Sequence, residues 1–361
     1  MKKFFSLVLT AALTLSLAAC GSKPAAPAAS TPAAPAPAAS TPAASDPAAS
    51  GYSGGEYKIT LGHICSETHS LQVTGLQFKE YLEEKSGGKI TVELFPNAVL
   101  GGDEAMLESV AMGTLTMVMP SASVMNVYDP AFGILAMPYL FTSTDKAFAA
   151  VDGGLGDRLN QRLLDANVGL VNLGYNFNGI RNMTNNKRAI ESLADMSGLK
   201  MRCMSNEMFI TMFSLMGANA TPMSWSELFT ALQQGTVDGE ENPASLIYES
   251  KFQEVQKYIS TTEHIYDFDT IVINRNFYEG LDAEAKALID EATALYLVDA
   301  QREMEVSQNE EFLQKLADEG MTVTYLSDEA RAEFAAAVAP MYDNAVADFG
   351  QDIMDAVAAY R

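Results

Sequence analysis

Strand and helix patterns alternate along the chain from Tyr57 to the C-terminus. Apolar runs with a two-residue period, such as 90–95, indicate strands, and stretches with apolar residues at helical spacing, such as 71–84, indicate amphipathic helices. Strands that alternate with helices usually form a sheet that is covered by the connecting helices. This order therefore predicts an α/β fold, with helices packed on largely parallel sheets.

The second part of the chain contains three clear strand patterns and one long helical region. Strands are predicted at 169–175, 199–204 and 270–274, where apolar and β-branched residues cluster. The region 283–318 contains few helix breakers and is predicted to be helical throughout.

Local signals also predict where two helices begin, end or bend. Ser224 and Glu227 have the spacing of a capping box, in which each side chain bonds the backbone N–H of the other residue. Gly235 suits the left-handed cap that ends a helix, so a helix is predicted between these positions. Pro340 is expected to kink the last helix, because proline lacks a backbone N–H.

The N-terminus has the pattern of a secretory signal. Lys2 and Lys3 precede an apolar run that is too short to span a membrane comfortably, and small residues precede Cys20. The sequence LAAC at 17–20 resembles the lipobox of bacterial lipoproteins, which implies lipidation at Cys20; an ordinary signal peptide is the alternative. Residues 21–55 are almost wholly Ala, Pro, Ser, Thr and Gly, which predicts a disordered tether.

The formal net charge of −23 constrains the partners of this chain. Such an acidic protein is a poor candidate for binding nucleic acid or an anionic membrane surface. If the ligand is an anion, a few local cations must hold it against the field of the whole molecule.

Cysteine and histidine are sparse, with three of each. They form no CxxC, HExxH or Cys/His cluster, so no metal site and no cofactor is predicted. Cys65 and Cys203 are expected to be free thiols, although an exported protein could bridge them. No nucleophile lies beside a base in the sequence, so no catalytic residue and no enzymatic activity are predicted.

One predicted strand, GLKMRCM, carries Arg202 between Met201 and Cys203. A guanidinium cannot lose its charge, and burying it without a partner is costly. From spacing alone, the partner could be the carboxylate of a ligand, or Glu240 or Glu241 in a structural ion pair.

Several separated motifs are similar to those of one protein family. They are Phe95-Pro96 followed by Leu100-Gly101, MPYLF at 137–141, LADMSGLKMR at 193–202 and TPMSWSELFTALQQGTVDGEENP at 221–243. Together they resemble the solute-binding subunits of tripartite ATP-independent periplasmic (TRAP) transporters, the DctP-type family. The resemblance extends from about Tyr57 to the C-terminus.

The resemblance implies a two-lobed, periplasmic-binding-protein-like fold of the type II-like class. Each lobe would be a mixed sheet flanked by helices, and crossover strands and long C-terminal helices would join the lobes. Beyond the signal peptide 1–20 and the tether 21–55, lobe I is expected to comprise 56–178 plus about 268–308. Lobe II would comprise 179–267 plus about 309–361.

The resemblance also implies a binding site. In this family the arginine of the G-L-K-x-R motif, here Arg202, pairs with the ligand carboxylate, and the asparagine of D-G-x-E-N-P, here Asn242, adds a polar contact. Arg181 matches a further G-x-R pattern. The aromatic residue near the start of the following helix, here Trp225, often stacks on the ligand, and Asp103 lies where some members contact ligand hydroxyls.

Two positions depart from the sialic-acid-binding members of the family. Those members have a glutamate where this chain carries Ser121, and an asparagine where it has His63 and Ile64. Both differences disfavour sialic acid, and Ser121 and His63 are kept as candidate ligand contacts. The spacing from Arg181 to Arg202 is also one residue longer here.

Simpler roles remain open for some of these residues. A single tryptophan such as Trp225 usually fills a core. Asn242 precedes a proline and could form a turn, and His63 could cap its strand. Residues 175–178, YNFN, could belong either to a hinge or to the pocket.

These observations together predict an exported, lipid-anchored solute-binding protein on the extracytoplasmic side of the membrane. It would capture a small organic acid and deliver it to the small and large TRAP permease subunits. Uronates or related sugar acids are expected to bind better than simple monocarboxylates. The protein is expected to be a monomer and to bind no nucleic acid. Alternatives from other classes are an exported enzyme on the same scaffold, or a ligand sensor.

Overall fold

The structure is a computed structural model that describes residues 51–361. The predicted signal peptide, the lipidation site Cys20 and the tether up to residue 50 lie outside the described residues. In the described part of the chain, no helix is both long enough and apolar enough to cross a membrane.

Nine strands are present in the described residues. Strands β1 to β9 are, in order, Tyr57–Gly62, Ile90–Phe95, Met117–Val118, Leu170–Asn185, Lys200–Cys203, Asn219–Pro222, Gly239–Pro243, Tyr258–Asn274 and Thr322–Thr324. The predicted strands 90–95, 199–204 and 270–274 are all found, and β5 corresponds to the strand that carries Arg202.

Thirteen α-helices accompany these strands in the described residues. Helices α1 to α13 are Ser70–Lys85, Asp103–Met112, Thr144–Val151, Gly154–Ala166, Glu207–Leu215, Trp225–Gln234, Ala244–Glu249, Arg275–Glu279, Ala283–Ala292, Gln301–Asp318, Asp328–Val338, Ala345–Phe349 and Gln351–Ala358. The predicted long helical region is continuous, because a π-helical segment at Thr293–Ala300 joins α9 to α10. A 3₁₀ turn at Ala339–Asp343 follows α11, so the chain does change course at Pro340.

All nine strands belong to one mixed sheet, in the order β2-β1-β3-β8-β4-β7-β5-β6, with β9 paired to β8. The strands are parallel at both ends of the sheet, where β1 pairs with β2 and β3, and β5 pairs with β6 and β7. The two central strands, β4 and β8, are antiparallel to each other. The α/β class with a mixed sheet is therefore confirmed, and antiparallel pairing is confined to the middle of the sheet.

The central strands β4 and β8 are much longer than the sequence predicts, with 16 and 17 residues. The predictions 169–175 and 270–274 found only the apolar half of each, because the other halves carry buried polar residues that break the strand pattern. Their pairing shifts register at three places, one of them between Phe177 and Gly179. Gly179 has a φ of +122°, and a Cβ there would lie 2.6 Å from the Cβ of Pro243, so only glycine fits this bulge.

The apolar core of the described residues divides into three clusters. One lies under β1, α1 and α9 around Phe78 and Ile289, and one lies between α6, α7 and α10 around Phe252. The largest cluster surrounds Phe132 and Phe268. The C-terminal helices α12 and α13 belong to it, because they pack on the turn at Pro130–Ala136 and on α4.

That packing differs from the expected division into lobes, which assigned everything after about 309 to lobe II. Helices α12 and α13 contact elements assigned to lobe I, because Phe349, Ile353 and Val357 are buried in the largest cluster. The end of the expected tether is also packed. Tyr52 is buried, and the Ser53 hydroxyl donates to Glu284 at the start of α9 at 2.7 Å.

The predicted capping box at Ser224 is wrong, although the helix it was meant to start is present. The Ser224 side chain makes no cap hydrogen bond, and α6 nevertheless runs to the left-handed cap at Gly235, where φ is 70°. A complete capping box is formed instead by Ser192 and Asp195. The same local spacing therefore does not decide which side chains cap a helix.

Candidate functional site

The ends of strands from both halves of the sheet meet at one buried cavity. Its walls include Ile64 after β1, Ser121 after β3, Met204 after β5 and Trp225 after β6. In α/β sheets, ligands bind beyond the carboxyl ends of parallel strands, and the cavity lies at that position for both halves. The cavity has a volume of about 30 Å³.

Six of the seven side chains predicted to contact ligand line this cavity: Asp103, Ser121, Arg181, Arg202, Trp225 and Asn242. The seventh, His63, does not. Its ring is buried and shares a hydrogen bond of 2.9 Å with Gln72, whereas the next two residues, Ile64 and Cys65, do face the cavity. Burial lowers the pKa of His63 to about 4.

Arg202 lies on β5, between β6 and β7, and its residue is 2% exposed. Its Nε and Nη2 atoms donate to the carbonyl oxygen of Met223 at 3.0 and 2.9 Å. Within the described residues no carboxylate lies within ion-pair distance of it. Burial lowers the pKa of Arg202, and the more distant Glu241 and Glu240 act in the opposite direction.

Arg181 lies on β4 and is fully engaged by protein groups. Its Nε and Nη2 atoms donate to the carboxylate of Glu241, and Nη1 donates to Asp267. Glu241 also shares a hydrogen bond of 3.2 Å with Nε2 of His264. Burial acts to raise the pKa of Glu241, but Arg181 outweighs it and holds that pKa below its usual range.

The two glutamates of β7 are therefore not partners of Arg202, which was one of the open possibilities. Glu241 pairs with Arg181, and Glu240 accepts hydrogen bonds from the Thr184 hydroxyl at 2.6 Å and from the side-chain amide of Asn242. Burial raises the pKa of Glu240 to about 7, because no cation touches it.

One part of the cavity wall is acidic. Asp103 begins α2, and its Oδ2 accepts the backbone N–H of Ser121 at 3.1 Å, while Oδ1 has no partner among the described residues. Burial raises the pKa of Asp103 to about 7, although the Ser121 N–H works against this. Asp269, on β8, is 4% exposed and lines the same wall.

Asp269 and Asn178 are the main lining residues for which the sequence supported no firm prediction. Asn178, within YNFN, lines the cavity, and its Nδ2 donates to Asp267 at 2.9 Å while its Oδ1 has no partner. The signal for Asp269 was the alternation of acids in the sequence DFDT, where polar residues at every second position of a strand mark one face.

Trp225 lies between the core and the cavity. It is the first residue of α6, half-buried, and its ring lies 5.4 Å from the ring of Phe252 in the core. It also lines the cavity, and the guanidinium carbon of Arg202 lies 6.0 Å from its ring centre. The tryptophan thus contacts a core residue and the unpaired cation of the site.

The cysteines and acidic groups of the described residues offer no metal centre. Cys65 and Cys203 are both buried free thiols, as expected. No group of three or more His, Cys, Asp or Glu side chains in residues 51–361 is arranged to hold a metal ion. The chemistry of the site is therefore that of one unpaired guanidinium, several hydrogen-bond acceptors and an aromatic ring.

A mixed sheet with a buried polar cavity at its centre defines a protein that binds a small ligand between strand ends. Residues 61–348 match the family described as bacterial extracellular solute-binding protein, family 7 (DctP). The chain belongs to this family, whose members are the solute-binding proteins of TRAP transporters.

Relatives with known ligands support this assignment. The chain is 32% identical over 303 residues to the 2,3-diketo-L-gulonate-binding periplasmic protein YiaO of Escherichia coli (strain K12), covering 83% of this chain and 90% of that protein. It is similar to the sugar acid binding protein DctPAm from Advenella mimigardefordensis strain DPN7T in complex with galactonate. The TM-score is 0.81 at 32% identity, covering 85% of this chain and 99% of that one.

A third relative has a different ligand. A TRAP periplasmic solute binding protein from Sulfurospirillum deleyianum DSM 6946, with bound succinate, matches with a TM-score of 0.80 at 28% identity, covering 85% of this chain and 100% of that one. Family membership alone therefore does not select between a sugar acid and a dicarboxylate.

Proposed function

We propose that this TRAP solute-binding protein captures a sugar acid, and that Arg202 holds its carboxylate. The observation that carries the proposal is a buried guanidinium whose only hydrogen-bond acceptor among the described residues is the carbonyl of Met223. A charged, planar donor of this kind suits a carboxylate that accepts two parallel hydrogen bonds.

The rest of the cavity suits the sugar part of such a ligand. Trp225 provides an apolar face, and Asp103, Asn178 and Asp269 provide acceptors for hydroxyl groups. Arg181 contributes less than the sequence predicts, because two carboxylates already hold it. Its proposed role is to fix Glu241, which precedes Asn242, and Asp267, which accepts from Asn178, and not to bind the ligand carboxylate directly.

Ligand capture requires the cavity to open. The side chains that would hold the ligand are almost fully buried, with Arg202 2% and Asp103 5% exposed, so an acid of six carbons reaches them only when the walls move apart. We propose that the lobes separate at the bulge where Phe177 pairs with Phe268 and Gly179 pairs with Asp267. The ligand then shifts the population towards the closed state, because its contacts with both lobes exist only there.

The anchoring of the protein is also a proposal. The lipobox-like LAAC and the tether 21–50 support lipidation at Cys20, and the closed cavity needs no second copy of the chain, which supports a monomer. Expression of Cys20→Ala in the native host should release the protein from the membrane fraction. Equal membrane retention of both forms would contradict lipidation.

A thermal-shift screen tests the ligand proposal. Galactonate and galacturonate should raise the melting temperature, and the shift should grow with the logarithm of ligand concentration above Kd, because they bind only the folded state. Arg202→Ala should lose most of this shift, and Arg202→Lys should keep only part of it, because lysine retains the charge without the planar pair of donors. The control is Arg158→Ala, which removes an exposed arginine from α4.

Two results would contradict the proposal. One is a clear shift with aromatic or fatty acids and none with any sugar acid. The other is an unchanged affinity in Arg202→Ala. Recovery of each bound acid unaltered after prolonged incubation separates this function from the alternative of an exported enzyme.

A further inference from the structure

Charged residues of both signs line the cavity. Arg202 has no carboxylate partner within the described residues. On the acidic part of the wall, Asp269 lies in the field of Asp103, Asp267 and Glu305. Arg181, the cation that acts on Asp269, is already held by Glu241 and Asp267. A ligand carboxylate is therefore matched at Arg202, whereas no free cation among the described residues lies at Asp269 to balance a second one.

The acidic wall is also rich in acceptors that lack donors. Oδ1 of Asp103 and Oδ1 of Asn178 are buried and without a partner. No hydrogen bond to the Asp269 carboxylate is formed within residues 51–361 either, although its residue is 4% exposed. Buried acceptors without donors are costly, and ligand hydroxyl groups are the donors that would satisfy them.

A second carboxylate on the ligand has the opposite effect. Placed against Asp103 and Asp269, it would either remain ionised beside them or have to take up a proton, and both outcomes cost free energy. Burial raises the pKa of Asp103 and of Asp269, while Arg202 acts against this at Asp103 and the already paired Arg181 does so at Asp269. A dicarboxylate thus gains binding free energy at Arg202 and loses binding free energy at the acidic wall.

We infer that Asp269, acting with Asp103, makes this protein select acids that bear several hydroxyl groups and one carboxylate, and reject dicarboxylates. The inference rests on the proposed binding of acids at Arg202 and narrows it to one ligand class. The relative with bound succinate shows that dicarboxylates are not excluded by the family fold. The selection is therefore a property of this chain's own cavity wall.

Isothermal titration of galactonate and succinate into the wild-type protein and two variants tests the inference. The wild type should bind galactonate at least about a hundredfold more tightly than succinate. The hydroxyl groups of galactonate satisfy several acceptors of the wall, whereas the second carboxylate of succinate is disfavoured beside them. Asp269→Asn has nearly the same shape but no charge. It should weaken galactonate about tenfold and strengthen succinate, so that the preference shrinks.

The matched control is Glu108→Gln, which removes an exposed charge from α2 outside the cavity lining. Its preference should stay that of the wild type. If the wild type binds both acids equally well, or if Asp269→Asn weakens both equally, the inference is wrong while the proposed function stands. If neither acid binds the wild type, the proposed function itself fails. If Asp269→Asn does not fold, the ratio of the wild-type affinities for galactonate and succinate still tests the inference.

Discussion

Two arginines lie in the same cavity and are equally buried, yet their surroundings differ in kind. Arg181 and Arg202 belong to residues that are 1% and 2% exposed. Two carboxylates neutralise Arg181, whereas Arg202 has only a backbone carbonyl among the described residues. A buried charge with protein partners stabilises the fold, and a buried charge without them is available to a ligand. The two arginines thus differ in whether neighbouring carboxylates neutralise their charge, and not in how deeply they are buried.

Removal of Arg181 should give the largest effect of this comparison. Arg181→Met would leave Glu241 and Asp267 buried without their cation, which typically costs about 3–5 kcal/mol of unfolding free energy. Arg202→Met should cost about 1 kcal/mol or less, because it removes a charge that no carboxylate balances. Urea unfolding monitored by circular dichroism measures both; equal losses would mean that the two sites do not differ in the way described.

The comparison extends to two buried carboxylates. Glu241, beside Arg181, has a pKa below its usual range. Glu305 on α10 accepts, within residues 51–361, only from the hydroxyls of Ser70 and Ser245, and burial raises its pKa to about 7. The folded state therefore keeps a proton on Glu305 that the unfolded state gives up near pH 4.5. The resulting stability is present below that pH and is lost as the pH rises towards 7.

The pH dependence of Glu305→Gln tests this difference. Between pH 4.5 and 7, the wild type should lose stability relative to this variant by up to about 1.4 kcal/mol per pH unit. Glu303→Gln removes an exposed charge from the same helix, and its unfolding free energy should follow the wild type at each pH. A Glu305→Gln variant that also runs parallel to the wild type would show that Glu305 is ionised when folded.

The smallest expected effect concerns the aromatic neighbour of each arginine. Trp225 lies 6.0 Å from the Arg202 guanidinium, and Phe209 lies 5.6 Å from that of Arg181. Trp225→Leu should weaken sugar-acid binding by about 1 kcal/mol, through loss of the ring next to the cation and the ligand. Phe209→Leu should leave affinity unchanged and lower only stability. Calorimetric titration of both variants measures these affinities. A change of affinity in Phe209→Leu alone would contradict this prediction.

Regular local patterns were enough to predict much of the fold. The strand at 90–95 and the helix that ends at Gly235 have one clear apolar face and clear ends. The polar halves of β4 and β8, and all of β7, were not recognised, because their buried polar residues depend on partners far away in the chain. Thr184 and Glu240, for example, are 56 residues apart. Asp269 was missed for the same reason.

Prediction of the site from the sequence was limited in the same way, because contacts between distant residues are not visible in local patterns. A motif identified Arg202, Asn242 and Trp225, because family patterns retain residue types at fixed spacing. The pairing of Arg181 with Glu241 and Asp267 was not readable from spacing, since the three residues come from three strands. His63 was kept as a candidate ligand contact, but its ring bonds Gln72 and does not line the cavity.

The burial of the side chains that line the cavity has a kinetic consequence. Because Arg202 and Asp103 are only 2% and 5% exposed, a sugar acid reaches them only when the walls separate, and the rate of capture cannot exceed the rate of that separation, however concentrated the ligand is. Release is limited in the same way, since the bound acid leaves only through an open state. Residence time on this protein is therefore set by the lobes, and contact with a permease that favours the open form would shorten it.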